Sequence, residues 1–156
     1  MHELSPAARE HFAHPHHVGC LDSQQPDVVA ARVDSPIGGE ILQLHLRINA
    51  SGIISAVRFK AYGCGWMIAC GSLLAETMLG QPVAEAAGFR HHALVERLAV
   101  PPEKLHCAVL AETVLQAALH SNAAKRNFAV LSVSSNRESP ITAFLKGAYP
   151  HGDYLD

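Results

Sequence analysis

Two stretches of the sequence alternate between apolar and polar residues with a period of two. Within residues 40–48, every second residue is apolar: Leu42, Leu44, Leu46 and Ile48. Residues 53–62 alternate again after an Asn-Ala-Ser-Gly segment at 49–52, where the glycine permits the positive φ of a hairpin turn. A shorter apolar run occupies residues 28–33. Together these runs predict three consecutive strands in an antiparallel sheet.

The hydrophobic pattern changes after residue 62. Residues 66–79 are apolar on nearly every face of a helix, with Glu76 as the one charged residue, and this predicts a buried helix. Gly80 and then Pro82 are typical of a helix end. Further helices are predicted at residues 4–13, 89–98 and 107–120. Asn122 is the expected end of the last of them.

This order of strands and helices predicts an α+β domain, in which helices pack on one face of a small three-stranded antiparallel sheet. Residues 1–122 are expected to form the domain. Residues 123–156 are expected to be a C-terminal extension that packs on it. Within the extension, residues 128–132 suit either a strand or a continuation of the preceding helix, and residues 140–147 suit one short helix.

Composition restricts the classes of function. The chain has 156 residues, 49% of them apolar and 17% charged, as expected of one folded domain. A net charge of −2 without a basic stripe gives no support for nucleic-acid binding. No apolar run reaches the roughly 18–20 residues of a membrane span, and the N-terminus lacks the apolar core of a signal peptide. We therefore expect a cytoplasmic protein whose cysteines stay reduced, and their uneven spacing favours metal binding or catalysis over disulfides.

Histidine is abundant, with 11 copies. Four of them crowd the N-terminus: His11, His14, His16 and His17. We expect a solvated arm there, with a loose metal-collecting tract as the alternative. Surface positions are expected for four others: His45, His91, His92 and His120.

The main candidate chemistry lies where elements begin or end. Cys64 stands between two glycines at the start of the buried helix, where free N–H groups favour a thiolate. His106 and Cys107 stand at the start of the last helix, after two prolines. In a two-layer fold these ends and Glu40 gather at one end of the domain. Two thiolates, an imidazole and a carboxylate suit Zn²⁺ or Fe²⁺, thiolates hold iron–sulfur clusters, and an exposed thiolate accepts sulfur as a persulfide.

The other two cysteines are expected to be less informative. Cys70 lies inside the apolar helix and is interpreted as a small buried hydrophobe, and Cys20 is interpreted as an ordinary loop thiol.

The same residues resemble the IscU / NifU N-terminal iron–sulfur cluster scaffold family. The segment at residues 59–65, Phe-Lys-Ala-Tyr-Gly-Cys-Gly, is similar to the family's central motif, and residues 101–112 are similar to its Pro-Pro-x-Lys-(Ile/Val)-His-Cys motif. Residues 11–19 resemble its N-terminal His-Tyr-x-Asn-Pro motif. The resemblance covers residues 4 to about 120. It implies a scaffold on which iron and sulfide are assembled, with sulfur delivered as persulfide by a cysteine desulfurase, before transfer to recipient apo-proteins.

The resemblance also implies roles for single residues. Cys64 matches the middle ligand cysteine, and His106 and Cys107 match the His-Cys pair, whose cysteine is the usual sulfur acceptor. The family's first ligand cysteine is replaced by Gly38, and its aspartate by Glu40. In one interpretation, Glu40, Cys64, His106 and Cys107 still supply four ligands for Fe²⁺, Zn²⁺ or a labile [2Fe–2S] cluster. In a second, Cys20 supplies the missing thiolate.

A third interpretation is a paralogue that binds a desulfurase or a metal without building clusters.

The lead hypothesis for function is a non-enzymatic cluster scaffold or iron/sulfur carrier. In it, Cys107 is the sulfur acceptor, Gly63 and Gly65 shape the turn before the helix, and Lys104 lies near the developing charge. The alternative is a zinc-binding protein that regulates or partners a desulfurase. A thiol enzyme using Cys107 and His106 is the weakest of the three. Glu103 replaces an apolar residue of the chaperone-recognition segment, which disfavours that partner.

Overall fold

A computed structural model describes residues 3–36 and 38–130, with side chains described up to residue 122. The three strands are β1 Val28–Asp34, β2 Ile41–Ile48 and β3 Ile54–Tyr62. The helices are α1 Pro6–Ala13, α2 Gly65–Met78, α3 Val83–Ala87, α4 His92–Leu98 and α5 Leu105–Val130, with a single 3₁₀ turn at Pro102–Lys104 before α5.

The strands form one antiparallel sheet in the order β1-β2-β3. The register aligns the apolar positions of all three strands, so that Leu44 lies between Ala31 and Phe59. These side chains are buried, and α2 and α5 pack against the same apolar face. The predicted α+β fold with helices on a three-stranded antiparallel sheet is therefore confirmed.

Helix α2 lies unusually close to the sheet at Gly71. A Cβ atom there would come within 2.7 Å of the Phe59 ring and 3.2 Å of Leu42. A glycine at this position therefore lets the helix backbone rest directly on the core of the sheet.

On the face of the sheet opposite the helices, the expected surface position of His45 is wrong. His45 was expected at the surface, but only 3% of it is exposed. The loop before β1 crosses this face, and the amide of Leu21 donates a hydrogen bond of 2.8 Å to His45 Nδ1. The alternating pattern of β2 identifies the side on which His45 lies, but not that a loop covers it.

Two helix boundaries also differ from the expected ones. Helix α5 continues to Val130, past the end expected at Asn122, because alanine, lysine and arginine follow without a glycine or proline. It thus crosses the proposed boundary between residues 122 and 123. Helix α4 begins at His92 rather than Phe89, and the carboxylate of Glu112 accepts the His91 amide just before it at 2.7 Å.

Residues 131–156 lie outside the described residues, and so does the short helix expected at residues 140–147. The role of the C-terminal extension stays a prediction. No helix among the described residues is long and apolar enough to cross a membrane.

Candidate metal and sulfur site

Three element ends meet at one edge of the sheet. The register pairs Ile41 at the start of β2 with Tyr62 at the end of β3, which brings Glu40 beside the turn into α2. Helix α5 begins at the same end of the domain, with His106 and Cys107 in its first turn. Glu40, Cys64, His106 and Cys107 are thus brought together, as the sequence predicted.

Cys64 is the N-cap residue of α2. Its backbone is extended (φ −82°, ψ 167°), and its side chain is half-buried. The largest influence on the pKa of Cys64 is its hydrogen bond with the Cys107 thiol, which lowers that pKa. Burial of the Cys64 thiol raises this pKa. The backbone N–H groups of Met67 and Trp66 and the positive charge of Lys104 lower it, and the pKa of Cys64 falls to about 5. Cys64 is therefore a thiolate at neutral pH.

Cys107 is the buried partner of this pair. Its side chain is 0% exposed, and the two Sγ atoms lie 3.8 Å apart. Hydrogen bonding to the Cys64 thiolate, burial and the neighbouring negative charges raise the pKa of Cys107 above its ordinary value. The two shifts run in opposite directions, which favours one proton on the pair at neutral pH, held by the buried Cys107.

The Glu40 carboxylate lies between the thiols and the imidazole. Its Oε2 atom is 3.2 Å from His106 Nε2 and 3.8 Å from Cys64 Sγ. Burial opposes ionisation, but the hydrogen bond from His106, the Glu40 amide, and the charges of His106 and Lys104 hold the pKa of Glu40 below its ordinary value. Its second oxygen, Oε1, is buried and accepts no well-formed hydrogen bond from any described residue.

Two glycines leave the space that Glu40 occupies. A Cβ atom on Gly38 would lie 2.4 Å from Glu40 Oε1 and 2.8 Å from Oε2. A Cβ atom on Gly63 would lie 2.6 Å from Glu40 Cγ, and Gly63 also has a φ of +131°. The carboxylate of Glu40 therefore fills the position next to residue 38 where a cysteine side chain would begin.

These donors fit a transition-metal ion. The ligand atoms of Glu40, His106 and Cys107 all lie within 4.8 Å of one another, and Cys64 Sγ is 3.8 Å from two of those residues. A thiolate and a carboxylate held together at a largely buried site repel each other unless a cation lies between them. Sulfur, nitrogen and oxygen donors in this number suit Zn²⁺ or Fe²⁺.

Cys20 is not part of this group. Its Sγ lies 4.0 Å from Gln43 Nε2, and Gln43 points to the sheet face opposite the helices. The structure therefore places Cys20 away from the four candidate ligands, and the interpretation in which it supplies the missing thiolate stays a prediction. Cys70 is buried as expected, and burial raises its pKa to about 12.

The N-terminal histidines do not form a free arm. His11 Nδ1 lies 2.8 Å from Ser72 Oγ, and His16 Nδ1 lies 3.2 Å from Glu76. His14 is exposed, as expected. Sequence reasoning missed the contact with α2, although Glu76, as the single charge in an apolar helix, was a signal that something polar lies against it.

The fold and the site define a class of protein: a small α+β domain that gathers two thiols, an imidazole and a carboxylate at one end of its sheet. A family model described as NifU-like N terminal domain matches residues 4–129. The chain belongs to this family.

Curated relatives agree with this membership. The iron-sulfur cluster assembly scaffold protein IscU of Azotobacter vinelandii is 43% identical over 110 residues, 70% of this chain and 86% of that protein. The protein of the same name from Escherichia coli (strain K12) is 37% identical over 117 residues, 75% of this chain and 91% of that protein.

A solved structure has the same fold. A nitrogen-fixing NifU-like protein (N-terminal) from Brucella abortus superposes with a TM-score of 0.63 at 16% identity, covering 78% of this chain and 94% of that one.

Proposed function

We propose that this protein is an iron–sulfur cluster assembly scaffold that binds iron through Glu40, Cys64, His106 and Cys107. The observation that carries the proposal is the convergence of these four side chains, with the Glu40 carboxylate filling the space beside Gly38. The relatives named as cluster scaffolds support the same role. The role is assembly and transfer, without turnover of a substrate.

The donor set suits cargo that is to be released. Two cysteines, one histidine and one carboxylate can satisfy four positions of a [2Fe–2S] cluster or the shell of one Fe²⁺ ion. A carboxylate oxygen is a harder donor than a thiolate, and Gly38 leaves the site with one thiolate fewer, so we expect a labile cluster. Binding also requires Cys107 to release its proton, because the thiolate is the ligand.

Sulfur delivery is the second part of the proposal. A cysteine desulfurase would present a persulfide, whose outer sulfur is attacked by a thiolate of this protein. A new S–S bond forms to the attacking Sγ, the S–S bond of the donor breaks, and the desulfurase cysteine leaves as a thiolate. The family resemblance assigns the acceptor to Cys107, whereas Cys64 is the more exposed and more acidic thiol. With Sγ atoms 3.8 Å apart, Cys107 can lose its proton and attack the outer sulfur of a Cys64 persulfide, so that a new S–S bond forms on Cys107, the S–S bond on Cys64 breaks and the Cys64 thiolate leaves.

Reconstitution under anaerobic conditions tests the proposal. The protein is incubated with Fe²⁺, cysteine and a desulfurase, and visible absorption, iron and inorganic sulfide are measured. We expect charge-transfer bands with iron and sulfide bound together, and their loss in Cys64→Ala and Cys107→Ala. Cys20→Ala is the matched control and should behave as wild type. Sulfide retention in the Cys64→Ala, Cys107→Ala double variant would refute the scaffold role.

Mapping the persulfide by mass spectrometry separates the two acceptor thiols. The protein is treated with a desulfurase and cysteine without iron, alkylated and digested. We expect sulfane sulfur on Cys107 in wild type, and on Cys64 alone in Cys107→Ala. Modification of Cys20 instead would contradict an acceptor role for this pair.

A second candidate function is a zinc-binding partner of a desulfurase that builds no cluster. The replacement of a family ligand by Gly38 favours it, and so does the fit of the four donors to tetrahedral Zn²⁺. Tightly held zinc without sulfide after reconstitution, together with capture by the desulfurase, would favour this candidate over the scaffold.

The proposed partners are a cysteine desulfurase and recipient apo-proteins, in the cytoplasm. A specialised chaperone is a weaker candidate, because Glu103 interrupts the apolar segment that it would bind.

A further inference from the structure

A second group of metal-binding side chains lies on the surface between α1 and α2. His11 at the end of α1, His16 in the following loop and Glu76 on α2 each direct one ligand atom toward the others, and these atoms lie within 4.8 Å of one another. His16 Nδ1 is already 3.2 Å from Glu76 Oε1. The ring centroids of His11 and His16 are 5.2 Å apart. Three donors from three different segments therefore converge.

Ser72 holds two of these segments in position. Its buried hydroxyl is 2.8 Å from His11 Nδ1 and accepts the backbone N–H of His16 at 2.8 Å. When His11 Nδ1–H donates to Ser72, its Nε2 atom carries a free lone pair. Histidine ligands of metals commonly use their second nitrogen in this way, which fixes the orientation of the ring.

Exposure and charge also suit a cation. The side chains of His16 and Glu76 are 43% and 39% exposed, so they can close the small gap to an ion. The carboxylates of Glu76 and Glu10 attract a positive charge at His11, whereas Arg97 and a protonated His16 repel it. The group is separate from the thiols, because the 12 residues from Cys64 to Glu76 along α2 correspond to a rise of about 18 Å.

We propose that His11, His16 and Glu76 bind one divalent transition-metal ion of the Zn²⁺ and Fe²⁺ class, at a site independent of Cys64 and Cys107. Two imidazoles and one carboxylate leave coordination positions open for water. The ion would connect the loop after α1 to α2, and therefore fasten the N-terminal segment to the domain.

Cobalt titration of the full-length chain tests the site. The background carries Cys64→Ala and Cys107→Ala, which removes the thiols of the first site, and folding of every variant is checked by circular dichroism. We expect one equivalent of Co²⁺ to bind by calorimetry, and His16→Gln to weaken binding by at least about tenfold. His14→Gln is the matched control, a histidine of the same segment outside the cluster, and it should bind as the background does. Equal weakening by both substitutions would indicate a loose histidine tract and overturn the proposal, as would unchanged binding in His16→Gln.

A second measurement uses the wild-type chain and does not depend on that background. Zn²⁺ is added beyond the first equivalent while the imidazole ¹H–¹⁵N signals are recorded. We expect the signals of His11 and His16 to shift together and saturate at one further equivalent, with His14 unchanged. Shifts that do not saturate, or that leave His11 unmoved, would exclude the site. Neither experiment requires cluster assembly, so their failure leaves the scaffold proposal intact.

Discussion

Restoring a cysteine at position 38 should destabilise the metal-free protein. The Gly38 backbone does not adopt a positive φ, unlike Gly39 at +76°, so a side chain is sterically allowed by the backbone itself. The obstacle is the Glu40 carboxylate, whose oxygens lie 2.4 and 2.8 Å from the new Cβ position. Gly38→Cys therefore forces that carboxylate away from His106.

The expected change in the free energy of unfolding follows from two opposing effects of Gly38→Cys. Breaking a hydrogen bond to a charged group, here the one between Glu40 and His106, costs about 1.5–3 kcal/mol. Replacing glycine where its conformation is not required stabilises by about 0.4–1 kcal/mol through the unfolded chain. We expect a net loss of about 1–2 kcal/mol in the free energy of unfolding for Gly38→Cys.

Urea unfolding of four proteins provides the assay: wild type, Gly38→Cys, Glu40→Asp and the double variant. Aspartate is one methylene shorter and vacates the space beside residue 38. The double variant should therefore be more stable than the sum of the single effects predicts, by about 1 kcal/mol or more. Gly38→Ala is the matched control, since it adds the same Cβ without a thiol, and it should lose as much stability as Gly38→Cys.

Additive effects across the four proteins, or a Gly38→Ala protein as stable as wild type, would refute the reasoning. Either result would mean that the Glu40 carboxylate does not occupy the space beside Gly38. A functional readout accompanies the cycle: the double variant should retain a reconstituted cluster longer against a chelator, because a thiolate returns to the site.

Three further predictions concern single residues. The alkylation rate of Cys64 in the metal-free protein should fall only as the pH drops through about 5. Cys107→Ala should raise the pH midpoint, because it removes the thiol that hydrogen-bonds to Cys64. A wild-type midpoint near the ordinary pKa of 9.0 would contradict the lowered pKa of Cys64. Gly71→Ala should lower the free energy of unfolding by about 1–2 kcal/mol, because a clash 2.7 Å from Phe59 outweighs the gain in helix propensity; higher thermal stability would exclude that close approach. Burial opposes the ionisation of Glu112, but hydrogen bonds from His91 lower its pKa below 4.5. The ionised carboxylate therefore stabilises the fold above pH 4.5, and this contribution to the free energy of unfolding is lost as the pH falls through the lowered pKa. Glu112→Gln should therefore cost about 1–2 kcal/mol at pH 7 and almost nothing at low pH, whereas a pH-independent difference would rule out the charge as the cause.

Much of the fold was predictable because local patterns decided it. Period-two alternation in β2 and the change of period after Tyr62 reflect which side of each element meets the core. The positions of Cys64 and Cys107 at helix starts followed from the glycines and prolines around them. The convergence with Glu40 then follows from antiparallel pairing, which sets Ile41 against Tyr62.

Other features depended on contacts between distant segments. The burial of His45 results from a loop that crosses the sheet, and hydropathy along β2 carries no information about that loop. The difference in burial between the two thiols also depends on such contacts. Both cysteines lie at the start of a helix, but the packing of α5 buries Cys107, whereas Cys64 stays partly exposed.

The sequence by itself determined the α+β class, the family and the identity of the four candidate ligands, because periodicity and motif spacing are properties of the chain. Only the tertiary structure decided that Glu40 fills the space left by Gly63 and Gly38, that Cys20 lies on the far side of the sheet, and that His11 and His16 meet α2. These are packing relations between separate segments of the chain or between the two faces of a sheet. Such relations arise only when the layers assemble, since no local preference encodes which side chain will occupy a shared space.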